Sequence, residues 1–391
     1  MVRPEDVRSA QFIDTYFPII DGVVQTVHNY ALLMNEQTYS CVVCPKPRES
    51  YEDADLPYDI FRTEAIKIPF WEYSVPAPAI TARLKKNLAQ KELSILHLHS
   101  PFFTGSYAAS LGKSLGLPVV ATFHSKYYDD ALRLTKSKSI ADMVVRRIVR
   151  LYEHCDSVWA CSEGTAQTLH EYGYRGDIFV MTNGTNFEPP RNPEKLAAAA
   201  AKEFGLPAGK KLLLFVGHQI WQKNLKLVLD TFRLLCDADG DYRLVIVGNG
   251  YNEDAIREYA KSLGFPQGAV RFTGRIVDRD LLSGVFLNAG LFFFPSVYDN
   301  APLVVREAAA MGVPSLLTRG SNAAESVVEG KSGFLAAESA AEMAAEITRV
   351  FAEPGLLERV GQTAKETIPI PWREIIPRVR EKYAQVIADK K

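Results

Sequence analysis

The stretch Asp299-Asn300-Ala301-Pro302-Leu303-Val304-Val305-Arg306-Glu307 decides how the second half of this chain folds. The apolar run from Leu291 to Phe294 precedes it and predicts a buried strand, which Pro295 ends. Pro302 suits the first position of a helix, because the N–H that proline lacks would have no partner there. A helix-favouring alanine run then continues to Met311. The order strand, loop, helix is typical of an α/β domain.

The N-terminus of this helix predicts an anion-binding site. The backbone amides of Leu303 and Val304 point out of the helix end, where they would bind a phosphate. Asp299 lies in the preceding loop and Glu307 projects from the helix, so a carboxylate on either side would accept hydrogen bonds from sugar hydroxyls. This pattern favours a nucleotide-sugar ligand. The alternative is an ordinary capped helix, with Asp299 in a turn and Glu307 in solvent.

Length and composition indicate a folded two-domain protein. With 391 residues, the chain is long enough for two domains of comparable size, and its hydrophobic fraction of 47% is ordinary. A net charge of −1 gives no global basic field, so we expect no nucleic-acid partner. No signal region and no apolar run of the roughly 18–20 residues that span a bilayer are evident. We expect a cytoplasmic protein, either soluble or peripheral on the inner face of the membrane.

The cysteines predict free thiols in a reducing compartment. There are five, and the C-x-x-C of Cys41 and Cys44 has no second cysteine or histidine pair to complete a zinc site. No carboxylate cluster shows a metal-ligand pattern either. We expect no metal and no cofactor, so a nucleotide-sugar such as a UDP- or GDP-sugar would be a substrate.

Short apolar strands alternate with amphipathic helices, which predicts an α/β fold of two doubly wound Rossmann-like domains facing across a cleft. The first domain is predicted over residues 1–188, and a proline cluster indicates a linker with an alanine-rich helix over residues 189–210. The second domain is predicted over residues 211–370, and a helix over residues 371–391 is expected to cross back to the first domain. The predicted strands are Ala10–Asp14, Ser40–Cys44, Ile95–Leu98, Val119–Phe123, Ser157–Ala160, Ile178–Met181, Lys211–Val216, Leu244–Val247, Val270–Thr273, Leu291–Phe294 and Ser315–Thr318.

Two residues of the first domain stand where ligands of such domains bind, after the carboxyl ends of strands. Gly22 connects the first strand to a helix predicted from Val24, and a glycine there lets a ligand approach that helix N-terminus. His124 follows the strand Val119–Phe123, with a structural histidine as the alternative. His97 and His99 alternate along one strand face and are better interpreted as packing histidines.

The second domain has a similar series. His218 and Lys223 follow its first strand, and a lysine there would meet a diphosphate as a point charge. Gly248 opens a G-x-G that is a weak signal for a phosphate-binding turn. Arg275 and Ile276 follow the next strand. The alternative for Lys223 is a solvated loop lysine, and the alternative for Gly274-Arg275 is a turn glycine beside a surface arginine.

Taken together, these motifs resemble the retaining GT-B glycosyltransferases of the large family-4 group, which includes bacterial mannosyl-, glucosyl- and N-acetylglucosaminyltransferases. The hallmark of the group is two acids spaced as E-x7-E, which read here as Asp299 and Glu307. Other matches come in the same order along nearly the whole chain: Asp21-Gly22, His124 ending a T-x-H segment, Asn183-Gly184, Lys223, Gly248-Asn249-Gly250, Ala308-Ala309-Ala310-Met311-Gly312-Val313-Pro314, and Glu325 to Gly333-Phe334.

The resemblance implies transfer of a hexose-type sugar from a nucleotide-diphosphate donor to an acceptor hydroxyl, with retention of configuration and without a metal. It implies that Glu307 holds the ribose, that Asp299 and His124 contact the transferred sugar, and that backbone near Arg275 and Ile276 holds the base. The developing diphosphate charge would be stabilised by Lys223, His218 and the amides of Leu303, Val304 and Gly22.

Two departures from the family pattern leave alternatives open. The first acid is aspartate rather than glutamate at position 299, and His218 stands where the family usually has arginine, so a permanent charge and a forked donor are missing. The alternatives are a nucleotide-sugar epimerase on the same fold and a catalytically inactive nucleotide-sugar-binding protein. The acceptor is open among lipid-linked, glycan and small-molecule classes.

A basic stretch in the first domain suggests one further contact. Between Lys126 and Tyr152, arginines and lysines alternate with apolar residues at helical spacing. An ordinary amphipathic helix with its apolar face in the core explains this pattern. Peripheral contact with an anionic membrane is the competing interpretation.

Overall fold

The computed structural model describes residues 3–49, 51–53, 56–67, 74–207, 209 and 211–390. The chain divides into two compact units, and the second of them is Thr185–Pro371. The first unit combines the chain up to Gly184 with the C-terminal segment that begins at Trp372. The sequence places the end of the first domain at residue 188, whereas the contacts place it after Gly184.

The first unit is built on a parallel sheet. Every residue of its central strands β6 and β7 (Ile95–Leu98 and Val119–Phe123) is buried, as expected where helices cover both faces. The strand order is β3-β2-β1-β6-β7-β8-β9, and β4 and β5 form a separate antiparallel pair. The other strands are β1 (Arg8–Phe12), β2 (Tyr39–Pro45), β3 (Ile60–Thr63), β4 (Ala65–Lys67), β5 (Ser74–Pro76), β8 (Ser157–Ala160) and β9 (Ile178–Val180).

The helices of the first unit come from both ends of the chain. They are α1 (Gly22–Met34), α2 (Leu84–Ala89), α3 (Phe103–Leu115), α4 (Tyr127–Thr135), α5 (Lys138–Tyr152), α6 (Glu163–Glu171) and the C-terminal α14 (Trp372–Asp389). An ion pair between Arg373 and Glu36, 2.7 Å long, joins α14 to the end of α1. A Cβ at Gly184 would lie 2.6 Å from the ring of Trp372, so glycine is needed where α14 begins.

The second unit contains a parallel sheet in the order β12-β11-β10-β13-β14-β15. The chain proceeds outward from β10 on one side and then returns to place β13 on its other side. Such a reversal brings together the loops that follow β10 and β13. Ligands of this class of fold bind there, at the carboxyl ends of the strands. The strands are β10 (Lys211–Val216), β11 (Tyr242–Val247), β12 (Val270–Gly274), β13 (Leu291–Phe294), β14 (Ser315–Thr318) and β15 (Gly333–Ala336).

Helices α7 to α13 surround this second sheet. The first of them, α7, lies in the stretch predicted as a linker and packs closely on α10. A Cβ at Gly284 of α10 would lie 2.2 Å from the carbonyl oxygen of Leu196, and the Asn288 amide donates to the Ala197 carbonyl at 2.8 Å. The helices are α7 (Pro193–Phe204), α8 (Leu225–Ala238), α9 (Glu253–Ser262), α10 (Arg279–Leu287), α11 (Leu303–Ala310), α12 (Ala340–Ala352) and α13 (Leu356–Thr367).

Several predicted boundaries differ from those observed. Pro302 is the N-cap of α11 rather than its first helical residue, because its extended backbone (ψ 126°) lies outside the helical range. The helix α1 begins at Gly22 rather than Val24, since Asp21 caps it by accepting a hydrogen bond from the Val24 amide. The sequence prediction missed the strands β3, β4, β5 and β15.

All five cysteines are free thiols, and three of them are buried. Across the described residues, no helix has both the length and the apolar character that a membrane crossing requires.

Candidate functional site

The loops after β10 and β13 bring two predicted site residues into direct contact. Lys223 ends a 3-10 turn after β10, and its Nζ donates to Oδ1 of Asp299 at 2.6 Å. The buried Ser296 hydroxyl donates to the other carboxylate oxygen, also at 2.6 Å. The lysine and aspartate side chains are only 14% and 17% exposed. Since each charge is largely removed from water, each depends on the other.

The backbone around this ion pair is fixed by a residue that sequence analysis did not single out. Asn224 has a left-handed conformation (φ 62°), which asparagine tolerates better than most residues. Its amide donates to the Pro295 carbonyl at 3.2 Å and to the Glu338 carboxylate at 2.7 Å. Asn224 therefore links the loop that carries Lys223 to the loop that carries Asp299.

The glycines after β10 and β11 are required by the packing of these loops on each other. A Cβ at Gly248, where φ is +124°, would lie 2.0 Å from the Gly217 carbonyl oxygen. A Cβ at Gly250 would lie 2.6 Å from the carbonyl oxygen of Gln219. Gln219 is fully buried, and its side-chain amide donates to the Gly248 carbonyl at 2.6 Å. The G-x-G thus has a structural explanation that needs no ligand.

The N-terminus of α11 lies in the same group of loops. Proline has no side-chain donor or acceptor, so Pro302 cannot cap this helix through its side chain. The first amides of any helix, here those of Leu303 and Val304, have no carbonyl partner within it. Amides in this position can bind an anion, which remains the prediction for Leu303 and Val304.

Glu307 is the fifth residue of α11 and is half-buried. Burial raises the pKa of its carboxyl to about 7, and the positive charge of Arg279 acts in the opposite direction. Arg279 is the first residue of α10, and its guanidinium lies 5.1 Å from the centre of the Phe187 ring. A half-buried carboxyl whose pKa lies near neutrality is typical of a functional site.

The other predicted residues of this unit lie in the loops after β10 and β12 and differ in exposure. His218 is half-buried after β10. Arg275 is exposed after β12, whereas Ile276 is half-buried and packs on the core of the unit.

Gly22 and His124 belong to the first unit. Gly22 begins α1, and the position of its missing Cβ is open, with no atom within 4 Å. His124 is only 8% exposed, less than expected from its place at a strand end. Burial lowers its pKa to about 3, so the imidazole is neutral at physiological pH. Its Nε2 lies 3.0 Å from Nδ1 of His99, and His97 and His99 are buried, as predicted.

The residues that sequence analysis missed act on the predicted ones. Ser296, Asn224, Gln219 and Arg279 hold or influence Asp299, Lys223, Gly248 and Glu307. A signal existed for Ser296, because a serine three residues before an aspartate in a loop is typical of a local side-chain turn. Gln219 and Arg279 carried no such signal.

Comparison with known proteins assigns both halves of the chain. The family described as Glycosyltransferase Family 4 matches residues 20–188. The family described as Glycosyl transferases group 1 matches residues 197–367. Together the two matches cover most of the sequence.

Relatives and solved structures agree with this assignment. An α-monoglucosyldiacylglycerol synthase of Streptococcus pneumoniae is 26% identical over 79% of this chain and 70% of its own. A GDP-mannose-dependent α-mannosyltransferase of Corynebacterium glutamicum is 24% identical over 86% and 77%. The structure resembles sucrose-phosphate synthase from Thermosynechococcus elongatus (TM-score 0.81, 18% identity, 98% and 99% covered). It also resembles Anabaena HepE in complex with UDP and glucose (TM-score 0.78, 15%, 97% and 99%). The chain belongs to the GT-B glycosyltransferases of the family-4 group, as its motifs predicted.

Proposed function

We propose that this glycosyltransferase moves a hexose-type sugar from a nucleotide-diphosphate donor to an acceptor hydroxyl with retention of configuration. The observation that carries the proposal is the contact of Lys223 with Asp299 beside the N-terminus of α11. It puts a cation for the diphosphate and a carboxylate for the sugar in neighbouring positions. The Anabaena structure in complex with UDP and glucose supports a donor of this kind.

The leaving diphosphate requires positive charge that is already in place when the bond to the sugar breaks. Lys223 supplies that charge, and the amides of Leu303 and Val304 supply hydrogen bonds from the helix end. Asp299 pairs with Lys223 at 2.6 Å. A bound donor would offer the lysine a phosphate and the aspartate sugar hydroxyls, so both charged groups keep hydrogen-bond partners.

Glu307 receives the ribose in this proposal. As a carboxylate it would accept two hydrogen bonds from neighbouring ribose hydroxyls, and hydrogen bonds to charged groups are worth about 1.5–3 kcal/mol each. Because its pKa is about 7, donor binding would have to shift it fully to the ionised form. The half-buried backbone at Ile276 would lie against the base, and His124 would contact the transferred sugar.

The names of two relatives support retention, because they describe the linkage of the product. Both names specify an α-linked sugar. Common hexose donors carry their sugar in α-linkage to the diphosphate, so an α-linked product preserves the configuration at C1.

Product analysis tests the proposal. Purified protein is incubated with UDP-glucose, GDP-mannose or UDP-N-acetylglucosamine, each with and without a panel of lipid, glycan and small-molecule acceptors, and products are identified by mass spectrometry and NMR. An α-linked product that needs an acceptor supports the proposal. Donor converted without any acceptor indicates an epimerase, and donor binding without turnover across the panel indicates an inactive binding protein.

The exposed surface of α4 and α5 favours a lipid as the acceptor. This proposal depends on the glycosyltransferase activity proposed above. Leu134 and Met143 are 54% and 57% exposed, and Arg146 and Arg147 are exposed beside the buried Ile148. Helix α5 therefore has an apolar face in the core, as the ordinary interpretation predicts. Leu134 of α4 and Met143 of α5 are apolar residues that lie outside this core. Basic residues near anionic headgroups contribute up to about 1 kcal/mol each.

Vesicle sedimentation tests this contact. Binding to phosphatidylglycerol vesicles should weaken at high salt and be lost in the double variant Arg146→Glu, Arg147→Glu. The control is Lys85→Glu with Lys86→Glu on α2, where both lysines are also exposed. The absence of sedimentation at low salt would leave a water-soluble acceptor as the better interpretation.

A further inference from the structure

Three histidines of the first unit lie side by side in its interior, and a hydrogen bond joins two of them, His99 and His124. His97, His99 and His124 are 0%, 1% and 8% exposed. The rings of His97 and His99 are 4.0 Å apart between centroids, and those of His99 and His124 are stacked at 5.3 Å. Only the last of them has a place in the proposed reaction.

The proton positions follow from Gln11 on β1, which is fully buried. Its amide nitrogen lies 3.0 Å from the Ser9 hydroxyl and 3.3 Å from that of Ser40, and donates to both. Its carbonyl oxygen Oε1 lies 2.9 Å from Nε2 of His99 and accepts a weaker contact from the Tyr383 hydroxyl at 3.5 Å. In this orientation the amide nitrogen faces the two serines and the amide oxygen faces His99.

An amide oxygen can only accept a hydrogen bond, so Nε2 of His99 carries the hydrogen. Burial holds the pKa of His99 well below its usual value, and a neutral imidazole with hydrogen on Nε2 has its lone pair on Nδ1. That nitrogen lies 3.0 Å from Nε2 of His124, which must then be the donor. His124 is neutral as well, because burial lowers its pKa to about 3, and its lone pair is on Nδ1.

We propose that Gln11 and His99 are positioning residues that fix His124 as the tautomer with hydrogen on Nε2 and a hydrogen-bond acceptor at Nδ1. The inference deepens the proposed function, and its consequence for catalysis rests on the role of His124 given there. A sugar hydroxyl that meets this nitrogen must donate its hydrogen to it. The ring orientation is fixed at the same time, since Nε2 is bound to His99.

NMR measures the tautomers directly. Long-range 1H–15N correlation spectra of 15N-histidine-labelled protein distinguish the two neutral tautomers and the cation, and His124→Ala and His99→Ala spectra assign the signals. We expect His99 and His124 both to be neutral with hydrogen on Nε2 at pH 7. Hydrogen on Nδ1 of His124, or a charged ring, would overturn the proposal, and this result needs no variant of Gln11.

The variant Gln11→Leu removes the acceptor, so signals of both tautomers of His124 should appear. We expect kcat to fall at least about tenfold, a usual scale for groups that orient a functional histidine, while the donor KM is unchanged. Gln11→Glu keeps an acceptor towards His99 and should restore the single tautomer. Tyr383→Phe is the control, because it removes the 3.5 Å contact with Gln11 and the hydrogen bond to Nδ1 of His97 but leaves the bond between Gln11 and His99.

Two kinds of failure are distinguishable. A single unchanged tautomer of His124 in Gln11→Leu would overturn the positioning role. The same role is overturned if kcat is unchanged in Gln11→Leu but falls in His124→Ala. Unchanged turnover in His124→Ala itself would instead contradict the proposed function of His124 and leave the tautomer assignment intact.

Discussion

The two units share a topology but place different polar groups beside the point where their strand order reverses. In the first unit, Gln11, His99 and His124 are buried, neutral and bonded to one another. In the second, Lys223 and Asp299 form a partly buried ion pair. A neutral network can fix the direction of hydrogen bonds, whereas permanent charges stabilise a charge that develops elsewhere. The difference predicts that substitutions in the second unit affect donor chemistry most.

The largest effect is expected from Lys223→Met. The change removes the charge proposed for the diphosphate and leaves Asp299 without its partner, so kcat should fall about 100- to 1,000-fold. Steady-state kinetics with the donor identified by product analysis would measure this. Lys226→Met is the matched control, because Lys226 is 62% exposed and pairs with Asp230 along α8. Equal activity of the two variants would show that Lys223 has no role in the reaction.

Glu307→Gln should have the next largest effect. Loss of the carboxylate should weaken donor binding by about 2 kcal/mol, since the ribose hydroxyls lose a charged acceptor. The pKa of Glu307 is about 7, so affinity of the native protein should rise as the pH increases through that value, and this dependence should disappear in the variant. Calorimetry with a nucleotide-sugar, whose diphosphate does not titrate near neutrality, measures both effects.

The control for this experiment is Glu358→Gln, on an exposed position of α13. It should keep both the affinity and the pH dependence. A native protein whose donor affinity does not change between pH 6 and 8 would contradict the assignment of Glu307 to the ribose.

Sequence patterns predicted the positions of these residues better than their contacts. Strands such as Ile95–Leu98 and Leu291–Phe294 were predicted with their observed bounds, because a strand buried on both faces is a continuous apolar run. The strand Ile60–Thr63 was missed, since it lies at a sheet edge with mixed polarity. Strand ends locate ligand-binding loops in any such fold, so Lys223 and Asp299 could be assigned to the site.

Pairings across the sheet could not be predicted in the same way. Lys223 and Asp299 are 76 positions apart in the chain, and their contact depends on which strands are neighbours. The alanine-rich helix after the proline cluster was assigned to a linker, because its sequence does not show that it packs on α10. His99 was interpreted as a packing residue, which is correct for its burial but omits its hydrogen bonds to Gln11 and His124.

The histidines predict that acid destabilises the first unit. Burial holds the pKa of His97 well below its usual value. As the pH falls below about 6.5, the unfolded chain takes up a proton that the folded state does not, so stability decreases. Each such histidine should contribute about 1 kcal/mol of loss between pH 7 and 5.5. Hydrogen exchange of β6 and β7 peptides, corrected for intrinsic rates, measures this loss of stability for the first unit alone.

The comparison of variants isolates this effect. His97→Asn should reduce the pH dependence of the β6 and β7 peptides, whereas His154→Asn, at an exposed position, should not. Asp14 acts in the opposite direction, because burial raises its pKa to about 6 and stability from it is lost as the pH rises from about 3.8 to 6. Glu307 gives the second unit the same sign as Asp14. An equal slope in His97→Asn and the native protein would contradict a neutral buried His97.

The smallest effect is expected from His218→Arg, which tests the departure from the family pattern at a half-buried position after β10. If His218 serves only to neutralise the diphosphate, an arginine with permanent charge should leave kcat unchanged or raise it by no more than about threefold. Steady-state kinetics would measure this, with His154→Arg as a control for added surface charge. A large fall in kcat with donor affinity intact would show that the imidazole itself is needed. A permanent positive charge in the second unit could then not replace it at this position.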